Sequence, residues 1–154
     1  MVAGPVVDHM QLLETSVQIE AILPHRPPWL LVEKETDFNQ EQGTLTAELT
    51  VSQELCQGHF PGRPILPGVL IIEALAQTCG LFIAKRDQVS LLDKEIFFGG
   101  VDNVRWKKPV VPGNRLILRV KFQKQRSSIF KFSGEAFVGE TLVASVGEIT
   151  VLSL

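Results

Sequence analysis

Two side chains in this sequence stand where a side chain could do chemistry. His59 lies in a Gly/Pro-punctuated loop, QGHFPGRPILPG, and Glu73 is the only charged residue of the run VLIIEALAQTCGLFIA, Val69 to Ala84. An imidazole titrates near working pH, at about 6.5 in model peptides, which suits a proton-abstracting base. A carboxyl among apolar side chains keeps its proton because burial disfavours the charged form, and only the protonated form can donate to a hydroxyl. The start of the apolar run adds a third capability. If a helix begins near Pro67, proline being tolerated in a first turn, the amides of Gly68 and Val69 have no intrahelical acceptor. They then point along the positive end of the helix dipole, toward an oxygen gaining negative charge. Gly68 also lets a ligand approach the backbone closely. Gln77, one turn beyond Glu73, shares its face and is placed to orient the carboxyl by a hydrogen bond.

The other reactive residue types carry less. Of the three histidines, His9 reads as part of a tail and His25, in ILPHRPPW, as packing or bonding locally; their dispersal offers no metal spacing. Cys56 stands three residues before His59, which raises a nucleophile and base reading, but no third orienting group accompanies the pair. Cys79 reads as packing. The glycines lack the lysine of a phosphate-binding loop.

The elements that must position these groups are legible in outline. At 154 residues, with 45% hydrophobic and 21% charged residues, the chain has the composition of one soluble globular domain. A net charge of −2 gives no general case for nucleic-acid binding. Two cysteines make no disulfide framework, and the first 25 residues hold no Lys or Arg and no signal-type apolar core. The apolar run is short for a membrane span and contains Glu73 and Gln77. These features lead to the expectation of a cytoplasmic protein with a flexible tail over 1–15 and a single domain over 16–154.

Ser16 caps a short predicted helix, SVQIEAIL, stopped by Pro24. A strand is expected from Trp29 to Thr36, then a turn, NQEQG, and a second strand from Thr44 to Ser52 with Leu45, Ala47, Leu49 and Val51 alternating inward. Past the helix, Glu95 to Trp106 reads as a strand interrupted by a bulge at Gly99 and Gly100. Arg115 to Lys124, Ser127 to Val138 and Leu142 to Val151 complete five or six antiparallel strands. A helix apolar on every face needs cover on every side, and a curved sheet wrapped around it provides that. The fold class is therefore α+β, and the sheet edges favour a dimer.

Three blocks, ILPHRPPWLLVE, GHFPGRPILPGVLIIEALAQ and FGGVDNVRWKKPVVPG, closely resemble in order and spacing the β-hydroxyacyl-(acyl carrier protein) dehydratases of the FabZ type. The resemblance spans most of Ile22 to Val151. It implies the hot-dog fold, a long central helix wrapped by a curved antiparallel sheet, in dimers that often form trimers of dimers. It further implies removal of water from a (3R)-hydroxyacyl thioester in fatty acid elongation, giving a trans-2-enoyl product without a cofactor. On this resemblance His59 is the base, Glu73 the acid, and the Gly68 and Val69 amides bind the thioester carbonyl, with His and Glu drawn from different subunits. The substrate arrives on the phosphopantetheine arm of acyl carrier protein.

An acyl tunnel is expected along Ile71, Leu75, Phe97 and Phe98, each buried methylene contributing about 0.8 kcal/mol. Many relatives carry a tyrosine before the Phe-x-Gly turn; this chain has none, so an apolar gate is expected. Arg105, Lys107 and Lys108, with Lys121, Lys124 and Arg126, form two basic clusters, read either as solvated strand faces or as the docking surface for the acidic carrier protein. Two other function classes fit the fold: an acyl thioesterase using the helix carboxylate and water, and a non-catalytic acyl-binding subunit.

Overall fold

The structure, a computed structural model, describes residues 16–154. The expected tail over 1–15 lies outside the described residues. In chain order the elements are α1 (Ser16–Glu20), β1 (Lys34–Asn39), β2 (Thr44–Thr50), α2 (Gln53–Cys56), α3 (Gly68–Asp87), β3 (Ile96–Trp106), β4 (Arg115–Arg126), β5 (Ile129–Val138) and β6 (Thr141–Ser153). The strands form one six-stranded sheet in the order β1-β2-β4-β5-β6-β3, every pairing antiparallel.

Strand alternation places Leu45, Ala47 and Leu49, then Leu116, Leu118 and Val120, on the face that packs with α3 in one core. Phe82 anchors it, its ring 5.6 Å from Phe38, 5.7 Å from Phe122 and 5.6 Å from Phe132. Burying a phenylalanine of this kind contributes about 1.5–3 kcal/mol. Beside this core, the carboxylate of buried Glu35 on β1 lies 3.4 Å from Lys85 near the end of α3, so the inward-facing charge has a counter-ion.

The helix departs from the expectation of burial on every face. From Gln77 to Ala84 every residue is buried, but Val69 is 65% exposed and the Glu73 side chain 31%. By length and composition α3 could cross a bilayer, yet 61% of its apolar stretch is buried inside the protein. The sheet encloses the C-terminal half of the helix and leaves one side of the first turns open.

Element boundaries also move, and α1 ends at Glu20, short of the Leu23 expected. The strand expected from Trp29 starts at Lys34, because the side chain of Gln77 ties the backbone before it to the helix: Leu31 N–H donates to Gln77 Oε1 at 2.8 Å, and Gln77 Nε2 donates to Trp29 O at 2.7 Å. The unanticipated α2 is capped by Ser52, whose Oγ accepts from Leu55 N–H at 3.3 Å, and it delivers the chain into the His59 loop. The bulge in β3 falls where expected, between Phe98 and Gly100. A Cβ on Gly99 would lie 2.9 Å from Thr150 Cγ2, so the strands approach too closely there for a side chain.

Candidate active site

The loop between α2 and α3 is held by its own backbone. His59 N–H donates to Cys56 O at 2.9 Å, Ile65 N–H to His59 O at 2.7 Å, and Phe60 and Arg63 exchange bonds of 3.0 and 2.9 Å. Gly62, at φ +73°, supplies the left-handed residue of that turn. The His59 ring stacks on Phe60 at 4.2 Å, and its Nδ1 lies 2.9 Å from Ile65 O. A carbonyl only accepts, so in the neutral ring Nδ1 is the nitrogen that carries the proton and Nε2 the one with the lone pair. That is the tautomer of a general base.

His59 opens into a cleft of about 410 Å³ shared with Ile65, Gly68, Val69, Ile71 and Trp106, with Lys107 and Lys108 on its wall. Helix α3 begins there: Pro67 is its N-cap, and Leu70 N–H is already engaged with Pro67 O at 2.9 Å. The Gly68 and Val69 amides are the two first-turn donors without an intrahelical acceptor. Trp106 holds this turn from the side, its indole N–H donating to Gly68 O at 3.0 Å. A Cβ on Gly68 would fall 2.5 Å from Trp106 Nε1, so only glycine fits beneath the indole.

Glu73 lies elsewhere. It lines a separate niche of about 30 Å³ with His25, Gln77, Phe97 and Phe98. Gln77 Nε2 donates to Glu73 Oε1 at 3.0 Å, and His25 Nε2 approaches the same oxygen at 3.6 Å. Burial pushes the His25 imidazole below its ordinary value, with Glu73 opposing and Arg26 reinforcing the shift. One chain thus brings His59 together with the helix-start amides and Ile71, and brings Glu73 together with Gln77, Phe97 and Phe98. It does not put His59 and Glu73 in one cleft.

Leu75 joins neither group. It is fully buried against Gly134, in the core rather than along a tunnel, because its position on α3 faces the sheet. Lys107 and Lys108 border the His59 cleft, whereas Arg105, Lys124 and Arg126 are exposed on β3 and β4 outside both cavities. Both cysteines are buried, and burial raises both thiols above their ordinary range, against a nucleophilic role for Cys56. Among the described residues no cluster of three or more His, Cys, Asp or Glu could hold a metal. Sequence reasoning missed His25 and Trp106 as site residues. Both lie in the motif blocks flanking the His59 loop, and that placement was the available signal.

A helix sheathed by a six-stranded antiparallel sheet, with a histidine loop leading into its start, defines a protein of the hot-dog class. Residues 23–147 match the FabA-like domain family, and the chain belongs to that family. A 3-hydroxyacyl-(acyl-carrier-protein) dehydratase FabZ from Caulobacter vibrioides is 45% identical over 138 residues, 87% of each chain. A protein of the same name from Syntrophobacter fumaroxidans is 49% identical over 127 residues, covering 82% of this chain and 86% of its own. Among solved structures, the dehydratase heterocomplex ApeI:P from Xenorhabdus doucetiae aligns with a TM-score of 0.74 at 20% identity, over 88% of this chain and 90% of that one. Cj0977, a virulence protein of Campylobacter jejuni, aligns at 0.65 and 11% identity over 99% and 96%. At these identities the two structures speak to the fold.

Proposed function

We infer that this protein is a 3-hydroxyacyl-(acyl carrier protein) dehydratase of fatty acid biosynthesis, and that its residues divide the reaction as follows. His59 Nε2 removes a proton from C2 of the (3R)-hydroxyacyl thioester. The electron pair is delocalised toward the thioester oxygen, where the Gly68 and Val69 amides stabilise the growing charge. As it returns to form the C2–C3 double bond, the C3–O bond breaks. Glu73 protonates the departing hydroxyl, releasing water and a trans-2-enoyl thioester, and solvent exchange restores both groups. Base, acid and amide dipoles meet every requirement of this step, so the proposed mechanism uses no cofactor. The observation that carries the reading is His59, with Nδ1 committed to Ile65 O, opening into the same cleft as the first amides of α3.

The separation of Glu73 from that cleft argues for a site shared by two copies. The sheet has two unlike edges. β1 is six residues long, bears Lys34 and Asp37, and is bent by a bulge; β3 is eleven residues long, has no buried residue, and exposes Phe97, Phe98, Val101 and Trp106. A long apolar edge of this kind invites pairing with another strand. Two-fold pairing of β3 with the β3 of a second copy runs antiparallel. It sets the Trp106 end of one copy, where His59 opens, beside the Phe97 end of the other, where Glu73 lies. Assembly of such dimers into a trimer of dimers, a cytoplasmic location, and docking of the acidic carrier protein on the basic clusters belong to the same proposal. Ile96 and Phe97, where many relatives carry the tyrosine, then stand as the expected apolar gate.

Incubation with a 3-hydroxyacyl carrier protein tests the function. Conversion to the enoyl thioester is expected; release of free acid would instead identify a thioesterase, and binding without turnover an acyl-binding subunit.

A further inference from the structure

His25 has no part in the reaction as written, yet it faces the group proposed to act as its acid. The bend that carries it is anchored firmly. Arg26 donates to Leu23 O, His25 O and Glu20 O at 2.8, 2.7 and 2.8 Å, and Gln77 ties Trp29 and Leu31 just downstream to α3. The imidazole is set against the helix with Nε2 at 3.6 Å from Glu73 Oε1 and with Nδ1 buried and, among the described residues, without a hydrogen-bond partner. A proton on Nδ1 would be a buried donor with no acceptor, so the neutral ring carries its proton on Nε2, toward Glu73. Protonating both nitrogens would add that orphan donor beside Arg26. The charged groups facing His25 are Glu73 on α3 and Arg26 on its own bend; β3 and β6 present Ile96, Phe97, Phe98 and Val151.

Gln77 Nε2 also donates to Glu73 Oε1 at 3.0 Å, so a hydrogen-bonding N–H and the nearby His25 Nε2 both address one carboxyl oxygen, while among the described residues no N–H bonds the other. A carboxylic acid that accepts through one oxygen carries its proton on the second. We propose that His25 is a positioning residue for Glu73: together with Gln77 it makes Oε1 the acceptor and confines the proton to Oε2, the oxygen left to face the departing hydroxyl. The 3.6 Å approach is long for a hydrogen bond in the free protein, and contacts of this sort tighten when substrate fills the site. This role rests on the acid function of Glu73 proposed above.

The test compares His25→Phe, which keeps a ring but removes the donor, with His25→Gln, which returns an N–H near the Nε2 position. With 3-hydroxyacyl carrier protein, His25→Phe is expected to lower kcat about tenfold, a fraction of the roughly 10²–10⁴ a general acid supplies, with KM within about twofold. The solvent deuterium isotope effect on kcat should rise, because proton delivery becomes more rate-limiting, and His25→Gln should recover most of both. If His25→Phe fails to fold, His25→Ala enters the same comparison. An unchanged kcat and isotope effect, or a loss that His25→Gln does not relieve, overturns the proposal. Absence of enoyl product from the unaltered protein would overturn the functional reading instead.

Discussion

The two cavities along α3, one at its start and one beside its middle turns, are built on opposite plans. The His59 cleft is wide, about 410 Å³, and its reactive atoms are presented by backbone: a carbonyl fixes the imidazole tautomer and the helix start supplies the donors. The Glu73 niche is about 30 Å³ and is organised by side chains, Gln77 and His25 converging on a single carboxyl oxygen. The wide cleft suits a thioester and its carrier arm, while the narrow niche suits holding one proton in place. In the proposed mechanism each supplies half of what eliminating water needs. If the two halves meet across the unprotected edge strand β3, as proposed, assembly and chemistry become one requirement.

Chain mixing breaks this picture most directly. His59→Ala and Glu73→Gln should each cost about 10²–10⁴ in kcat, the range of general acid and base catalysis. If the halves meet across two chains, heterodimers formed from the two inactive variants hold one intact site and one doubly impaired site. Statistical exchange then restores roughly a quarter of all sites, as a two-fold dimer requires. Kinetics after denaturation and joint refolding would show the recovery. No recovery in verified heterodimers would mean that each chain completes its own site.

A smaller loss tests the backbone-built half alone. Gly68→Ala forces a Cβ to 2.5 Å from Trp106 Nε1, so the indole or the first turn of α3 must move. Displacing the amides proposed to bind the thioester carbonyl by about 1 Å should cost on the order of 10²-fold in kcat. The Glu73 niche, lined by Leu23, Gln77, Gly80 and Phe98 away from Trp106, should stay intact. A variant that dehydrates at the normal rate would remove the Gly68 amide from the mechanism.

Much of this was legible in the sequence because local rules decided it. Alternation in Leu45, Ala47 and Leu49, the Gly99 bulge and Pro67 before an apolar run each carry their meaning within a few residues, and the sheet and helix follow. Gln77 beside Glu73 follows from helical spacing alone. The misses share a different cause. Whether Glu73 is enclosed depends on which turns of α3 the sheet reaches, and Leu75 is core because Gly134 receives it. His25 and Trp106 act on residues 48 and 38 positions away, respectively, in their segments' bonds: Trp29 in the His25 bend to Gln77, and Trp106 to Gly68. Periodicity has no term for contacts of that range.

The smallest expected effect asks which end of β3 receives the carrier protein. Lys107 and Lys108 border the wide cleft, where a phosphopantetheine arm would enter, while Lys124 sits at the far end of β4 with Glu148 within its electrostatic reach. Both pairs are exposed, so their contribution is long-range attraction that salt screens over about 8 Å at physiological ionic strength. Lys107→Glu with Lys108→Glu should therefore lower kcat/KM for the carrier-protein substrate about tenfold at low salt, and Lys124→Glu with Arg126→Glu about threefold, both losses shrinking as salt is added. In the proposed antiparallel dimer β5 and β6 stand between the β4 cluster and the β3 edge, about 14 Å across the sheet, so the two clusters lie beyond a screening length of each other and their effects should multiply. Losses that combine by less than the product would mean that the clusters lie closer together than this dimer places them. A larger loss from Lys124 and Arg126 would place the carrier protein over the Glu73 end instead.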